Sequence, residues 1–186
     1  MKKALLLLSF TIWGWAANAQ KYPVPADKNK VVWVRQGKKL VDLEKTDLHT
    51  AYSSTRLTGK ANFSIVADGA KSGIIRSGNP ADVFIVKLEA GADPEKAIEL
   101  FRFEEDKDQR SIPLGEKVLG KSHAPEQEKP TLIFTKVEEN VYAISPENQL
   151  DLGEYVFIVN RPKVNMSSAA NGRVQTFTGY CFSVGN

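Results

Sequence analysis

The chain has 186 residues, 42% of them hydrophobic, with 25 basic and 22 acidic side chains. This length provides one domain with a sizeable core, and the basic residues are scattered rather than gathered into the stripe typical of nucleic-acid binders. Cys181 is the only cysteine, which excludes an intramolecular disulfide and favours a buried thiol in a strand.

The N-terminus predicts export. Two lysines precede an almost wholly apolar run over residues 4–17, and Ala-Asn-Ala at 17–19 then supplies the small residues of a cleavage site. The run is shorter than the roughly 20 residues that span a membrane, which favours a cleaved signal peptide at 1–19 over an anchor. The remaining chain carries 23 basic and 22 acidic side chains. It has no second long apolar run, so we predict no membrane span after cleavage.

The first half of the remaining chain begins with a leader and a hairpin. Residues 20–30 combine two prolines with charged residues and predict an extended leader, followed by a single domain over 31–186. The apolar runs 31–35 and 39–43 flank a glycine turn and predict a β-hairpin. Residues 44–59 are polar, and their pattern is ambiguous.

In the middle of the chain, apolar and polar residues alternate more clearly. Apolar residues share one parity over 60–67, which predicts a half-buried strand, whereas 83–86 is apolar on both parities and predicts a central strand. Asp93-Pro94-Glu95 begins one helical turn at most. Residues 98–112 then predict a hairpin whose first strand is bulged, and Pro113 would confine its return strand to a sheet edge.

Four more strands are predicted at 131–136, 141–144, 154–159 and 176–184. Strands that recur about every ten to fifteen residues without intervening helices indicate a sandwich or barrel. The predicted fold class is therefore all-β, an antiparallel β-sandwich, with a jelly roll or small β-barrel as the alternative.

One motif refines this architecture. Residues 150–157 place a leucine and a glycine just before a strand that opens with Tyr155. The motif resembles the tyrosine corner of immunoglobulin-like and fibronectin-type sandwiches, in which the tyrosine hydroxyl bonds to backbone upstream. The resemblance implies an immunoglobulin-like sandwich, although the paired cysteines of many such domains are absent.

Candidate chemistry is sparse, and we predict no catalytic, cofactor-binding or metal-binding residue. His49 and His123 lack partners at metal-ligand spacing and are interpreted as solvated loop residues. The acidic run 104–108 contains Lys107 and no glycine, which indicates a hairpin tip rather than a calcium loop. Nucleophile elbows and phosphate-binding loops are not recognisable in the sequence.

Two features point to binding. Trp33 and Arg35 share a strand face, and an exposed Trp33 would form a stacking platform or a protein anchor, with a core tryptophan as the favoured alternative. The connection 160–175 is long, and long loops on a rigid scaffold often carry recognition. Its candidate side chains are Arg161, Lys163, Met166 and Arg173.

Three functions are open at this point. The favoured one is an exported, non-enzymatic β-sandwich module, periplasmic, cell-surface or extracellular, that binds a protein or a cell-envelope component. A carbohydrate-binding module would require Trp33 and either Tyr52 or Tyr22 to be exposed and coplanar. A small secreted hydrolase would require a concave site with converging acids.

Overall fold

A computed structural model of the chain describes residues 22–35, 39–55, 60–118, 121–123, 127, 129–164 and 169–185. The predicted signal peptide and its cleavage site lie outside these residues. In chain order the described elements are β1 (Val31–Val34), β2 (Leu40–Asp42), β3 (Glu44–Thr55), β4 (Lys60–Asp68), β5 (Ile75–Arg76), β6 (Val83–Lys87), α1 (Pro94–Ala97), β7 (Ile98–Arg102), β8 (Glu104–Glu105), β9 (Gln109–Val118), β10 (Lys121–His123), β11 (Leu132–Glu138), β12 (Val141–Pro146), β13 (Gly153–Val159) and β14 (Thr176–Val184).

The strands form two sheets. The smaller sheet has the order β11-β12-β6-β1-β2, and the larger has the order β10-β9-β4-β3-β14-β13-β7. Strand β5 pairs in parallel with the end of β14, and β8 pairs with β9. All described pairs other than that of β5 with β14 are antiparallel.

A first core lies between the two sheets. Phe84 of the smaller sheet meets Phe157 of the larger sheet edge-on, with ring centroids 4.8 Å apart. The ring of Phe182 lies 5.1 Å from the same Phe84 ring. The sheets therefore pack face to face, which confirms the predicted all-β antiparallel sandwich.

The larger sheet also buries its other face. Leu48, Ile65, Phe101 and Val156 belong to a second core on that face, and all four are fully buried. The chain runs from β7 directly into β8, which pairs with β9 near the opposite end of the sheet. The sheet therefore bends around the second core. Because both faces of β13 are covered, this strand is apolar at consecutive rather than alternate positions.

Cys181 lies fully buried in the second core, as predicted. Desolvation raises the pKa of its thiol to about 12, because the charged thiolate is disfavoured in an apolar environment. We expect iodoacetamide to leave the native protein unlabelled at pH 8, and to add one label per chain in denaturing urea, as measured by intact-mass spectrometry. Comparable labelling of both states would contradict this burial.

Several predicted elements are confirmed. Strands β1 and β2 form the expected hairpin, β4 covers the alternating segment, and β6 lies at the centre of the smaller sheet. Helix α1 begins at Pro94 after an N-cap at Asp93, whose carboxylate accepts a hydrogen bond from the Glu95 amide at 3.1 Å. The acidic run beyond β8 is an exposed hairpin tip, as predicted.

Two predictions about the hairpin over 98–112 are wrong. Strand β7 pairs with β13 in continuous register without a bulge. Its two apolar parities arise because Leu100 packs in the first core and Phe101 in the second. Strand β9 lies between β4 on one side and β8 and β10 on the other, so it is not an edge strand. Pro113 is tolerated because it pairs with Ser64 of β4 beside a register shift, and no described strand pairs with it on its other side.

The segment left ambiguous in the sequence contains β3, which runs over twelve residues from Glu44 to Thr55. Its polar character has a structural reason. Thr46 bonds to the carboxylate of Glu44 at 2.9 Å, and Thr50 is buried where its hydroxyl accepts from the Gln175 amide at 3.0 Å. Polar side chains therefore face inward on this strand.

The tyrosine motif forms the hydrogen bond that it predicts. The hydroxyl of Tyr155 donates to the carbonyl oxygen of Asp151 at 3.0 Å. Gly153 has φ +150, and an added Cβ would lie 3.0 Å from Nε of Arg102. This turn therefore requires glycine immediately before β13.

The leader packs against the outer face of the smaller sheet. Tyr22 contacts the apolar cluster on that face, and Pro25 is buried. The Asn29 amide donates to the Lys87 carbonyl at 2.7 Å. Over residues 22–30 the chain contains a turn and neither helix nor strand.

Candidate functional site

Trp33 is a core residue and not a binding platform. Its side chain is 8% exposed and belongs to the first core. The guanidinium carbon of Arg76 lies 3.8 Å from the centre of its ring and covers it. The favoured prediction, a core tryptophan, is therefore confirmed and the alternative of an exposed Trp33 is corrected, because this side of β1 faces the other sheet. Arg35, just beyond β1, is exposed.

The two tyrosines considered with Trp33 lie elsewhere. Tyr52 of β3 is 39% exposed and packs on Phe63 with ring centroids 5.0 Å apart and a tilt of 45°. Tyr22 is half-buried against the outer face of the smaller sheet. With Trp33 buried, these residues do not meet the condition for an exposed, coplanar sugar platform.

Part of the predicted recognition loop lines a cleft. The structure describes 160–164 and 169–175 of this loop, and Met166 lies outside the described residues. We define the basic cleft as the cavity of about 360 Å³ between this loop, β7 and β9. Its described lining residues are Lys96, Glu99, Leu114, Gln127, Arg161, Pro162, Lys163 and Val164. Arg161 and Lys163 are thus brought together, whereas Arg173 is exposed outside the cleft lining.

An ion-pair cluster holds Arg161 in the cleft. Its Nε lies 2.8 Å from one oxygen of Glu99, and Nζ of Lys129 lies 2.8 Å from the other. Both cations also lie over the buried ring of Phe101, at 5.2 Å for Arg161 Cζ and 4.8 Å for Lys129 Nζ. Glu99 and Phe101 on β7 therefore position the guanidinium from two directions.

The described lining of the cleft carries more basic than acidic side chains. Glu99 is the only acidic side chain among its described lining residues, and Arg161 and Lys129 both pair with it. Lys163 is exposed and forms no ion pair with a carboxylate of the described chain. Lys96 is paired with Asp93 at 2.8 Å on the exposed helix α1. The arrangement therefore favours an anion over a cation.

A second polar cluster lies in the interior. Arg110 has a side chain only 1% exposed, and its Nη1 and Nη2 lie 3.3 Å from Glu154 and 3.0 Å from Glu44. Glu154 also accepts from the Ser72 amide at 2.7 Å and from the Ser183 hydroxyl. Sequence reasoning missed this cluster. The sequence signal that could have revealed it is a charged residue among the buried positions of an otherwise apolar strand, as Glu154 is in β13.

The described residues include no group of three or more histidine, cysteine or acidic side chains arranged to hold a metal ion. His49 lies in β3 and His123 in β10, so the prediction that both occupy loops is wrong. Among the described helices, none is long and apolar enough to cross a membrane.

The fold and the cleft define a two-sheet all-β protein with a basic cleft beside the loop between β13 and β14. No protein-family model matches the chain, and comparisons with curated proteins and with solved structures found no significant match.

Proposed function

We propose that the chain is an exported, non-enzymatic β-sandwich module that binds a protein or another cell-envelope component through the basic cleft. One observation carries the proposal. The loop whose length predicted recognition supplies Arg161 and Lys163 to one concave surface on a rigid scaffold. Export is supported by the N-terminal pattern at 1–19, and the hydrogen bond from Tyr155 to Asp151 supports an immunoglobulin-like form of the sandwich.

The other two functions have weaker support. A sugar-binding platform would lose its central aromatic residue, because Trp33 is buried. A hydrolase needs an acid and a base that are available to a substrate. Glu44 and Glu154 converge on buried Arg110 and pair with it, which gives them a structural role.

The test is crosslinking of the full-length, C-terminally tagged protein in living cells of its native host, followed by affinity capture and mass spectrometry. The cleft variant is Arg161→Gln with Lys163→Gln. Its charge-matched control is Arg173→Gln with Lys136→Gln, which removes two exposed positive charges outside the cleft.

We expect the wild type and the control to capture one dominant envelope protein, and the cleft variant to lose it. Equal capture by both variants would place binding outside the cleft. Capture of no protein above the background of an untagged strain would contradict a protein partner. Melting temperatures of all three proteins should agree, so that loss of capture is not loss of folding.

A further inference from the structure

We infer that the basic cleft binds a carboxylate group of a partner peptide, with Arg161 as the residue that receives it. This inference rests on the proposed function and specifies its ligand. It is carried by three observations: the donors that remain on Arg161, the charge balance of the cleft, and the apolar residues that line the rest of it.

The guanidinium of Arg161 has N–H donors that form no hydrogen bond within the described chain. A guanidinium presents five N–H groups in a planar fork, and Nε is engaged by Glu99 at 2.8 Å. Neither Nη group donates a hydrogen bond to a residue of the described chain, although the side chain is only 26% exposed. The edge formed by the two Nη groups matches the two oxygens of a carboxylate, which such an edge binds in a bidentate manner.

This guanidinium is held in place before a ligand arrives. The ion pair with Glu99 limits its rotation, and the ring of Phe101 supports one of its faces at 5.2 Å. A side chain ordered in advance loses less conformational entropy on binding. Arg161 is therefore a better receptor than an exposed, mobile lysine of equal charge.

The charged residues of the cleft favour an anion as its ligand, and the apolar residues beside them favour a peptide. Among the described lining residues, Lys96, Arg161 and Lys163 are basic and Glu99 alone is acidic, and Glu99 is also paired with Lys129 at the edge of the cleft. Beside these charges the cleft is lined by Leu114, Pro162 and Val164. These apolar residues can accept an aliphatic side chain next to the bound carboxylate, and the cavity of about 360 Å³ has the size of a small-ligand site.

The test is a nuclear magnetic resonance titration of the mature protein labelled with ¹⁵N-arginine, which observes the arginine Nε–H groups. The first probe is an acetylated alanine-valine-alanine peptide with a free C-terminal carboxylate. The second is the same peptide ending in a carboxamide, and the third carries an aspartate side chain and a carboxamide end. Glucuronate and inorganic phosphate serve as non-peptide anions.

We expect a saturable shift of the Arg161 resonance with at least one peptide carboxylate, and none with the neutral carboxamide. The first and third probes distinguish a terminal from a side-chain carboxylate. Arg161→Lys keeps the charge but loses the fork, and should weaken binding about tenfold or more, observed on backbone amides of the cleft in uniformly ¹⁵N-labelled protein, with the wild type measured in the same way. Arg173→Lys, the matched control in the same loop, should bind like the wild type.

Equal binding of carboxylate and carboxamide peptides would overturn the inference, as would stronger binding of glucuronate or phosphate than of either peptide carboxylate. Unchanged affinity in Arg161→Lys would also overturn it. If cellular crosslinking captures a partner that depends on the cleft while no peptide carboxylate binds, only the ligand assignment fails. If no partner is captured, the proposed function fails irrespective of the titration.

Discussion

Replacing Arg110 with methionine is expected to lower the free energy of unfolding by about 3–5 kcal/mol, because it leaves a buried carboxylate without its partner. The side chain of Arg110 is 1% exposed and that of Glu154 is 3% exposed. Methionine preserves much of the apolar volume, so the loss of the ion pair dominates over cavity formation. Urea unfolding of the mature protein at pH 7 measures the change.

Two control variants test this explanation. Lys28→Met breaks an ion pair in which the side chains are 55% and 54% exposed, and it should cost less than about 1 kcal/mol. Arg110→Met combined with Glu154→Leu removes both buried charges and should be more stable than Arg110→Met alone. A cost for Arg110→Met no larger than that for Lys28→Met would contradict the buried network.

The same network determines part of the response to acid. Burial acts to raise the pKa of Glu44, but hydrogen bonds from Ser72 and Arg110 outweigh it, and the pKa lies below its ordinary value. Such a carboxyl group contributes stability above its unfolded pKa and loses it as the pH falls through the folded pKa. We expect this contribution to decline below about pH 4.3, and to be smaller in Arg110→Met.

The second large effect is expected for Phe182→Ala, which should lower the free energy of unfolding by about 3–5 kcal/mol. Phe182 is fully buried, and its ring lies 5.1 Å from Phe84 and 5.5 Å from Tyr155. Truncation removes the contact between the two sheets at this point and leaves a cavity that the surrounding strands cannot fill.

Urea unfolding compares this variant with Leu152→Ala, which truncates a side chain that is 60% exposed. The control should change stability by about 0.5 kcal/mol or less. If the two variants were equally stable, Phe182 would not be part of the core between the sheets.

Local patterns predicted much of the strand content. The alternation over 60–67 and the final apolar strand both appear at the expected positions, since alternation is a property of consecutive residues. Strand β3 was missed because its sequence is polar and its position in the sheet depends on pairing with β4, the next strand, and with β14, which lies far away in sequence. The strand conformation that its polar sequence did not indicate is stabilised by pairing with these two strands.

The candidate site was predicted in part for the same reason. The length of the loop over 160–175 indicated recognition, and two of its basic residues do line the cleft. The sequence also showed which residues share a face with Trp33. It could not show which face is covered, because covering requires the second sheet.

The sequence by itself determined the all-β class, most strand positions and the hydrogen bond of Tyr155, because side-chain alternation, turn residues and one short motif are local properties. Only the tertiary structure decided which charges meet. Arg110 reaches Glu154 across 44 residues and Glu44 across 66, and Glu99 reaches Lys129 across 30. These pairings follow from strand register and from the bending of the larger sheet, and neither is encoded in any single segment.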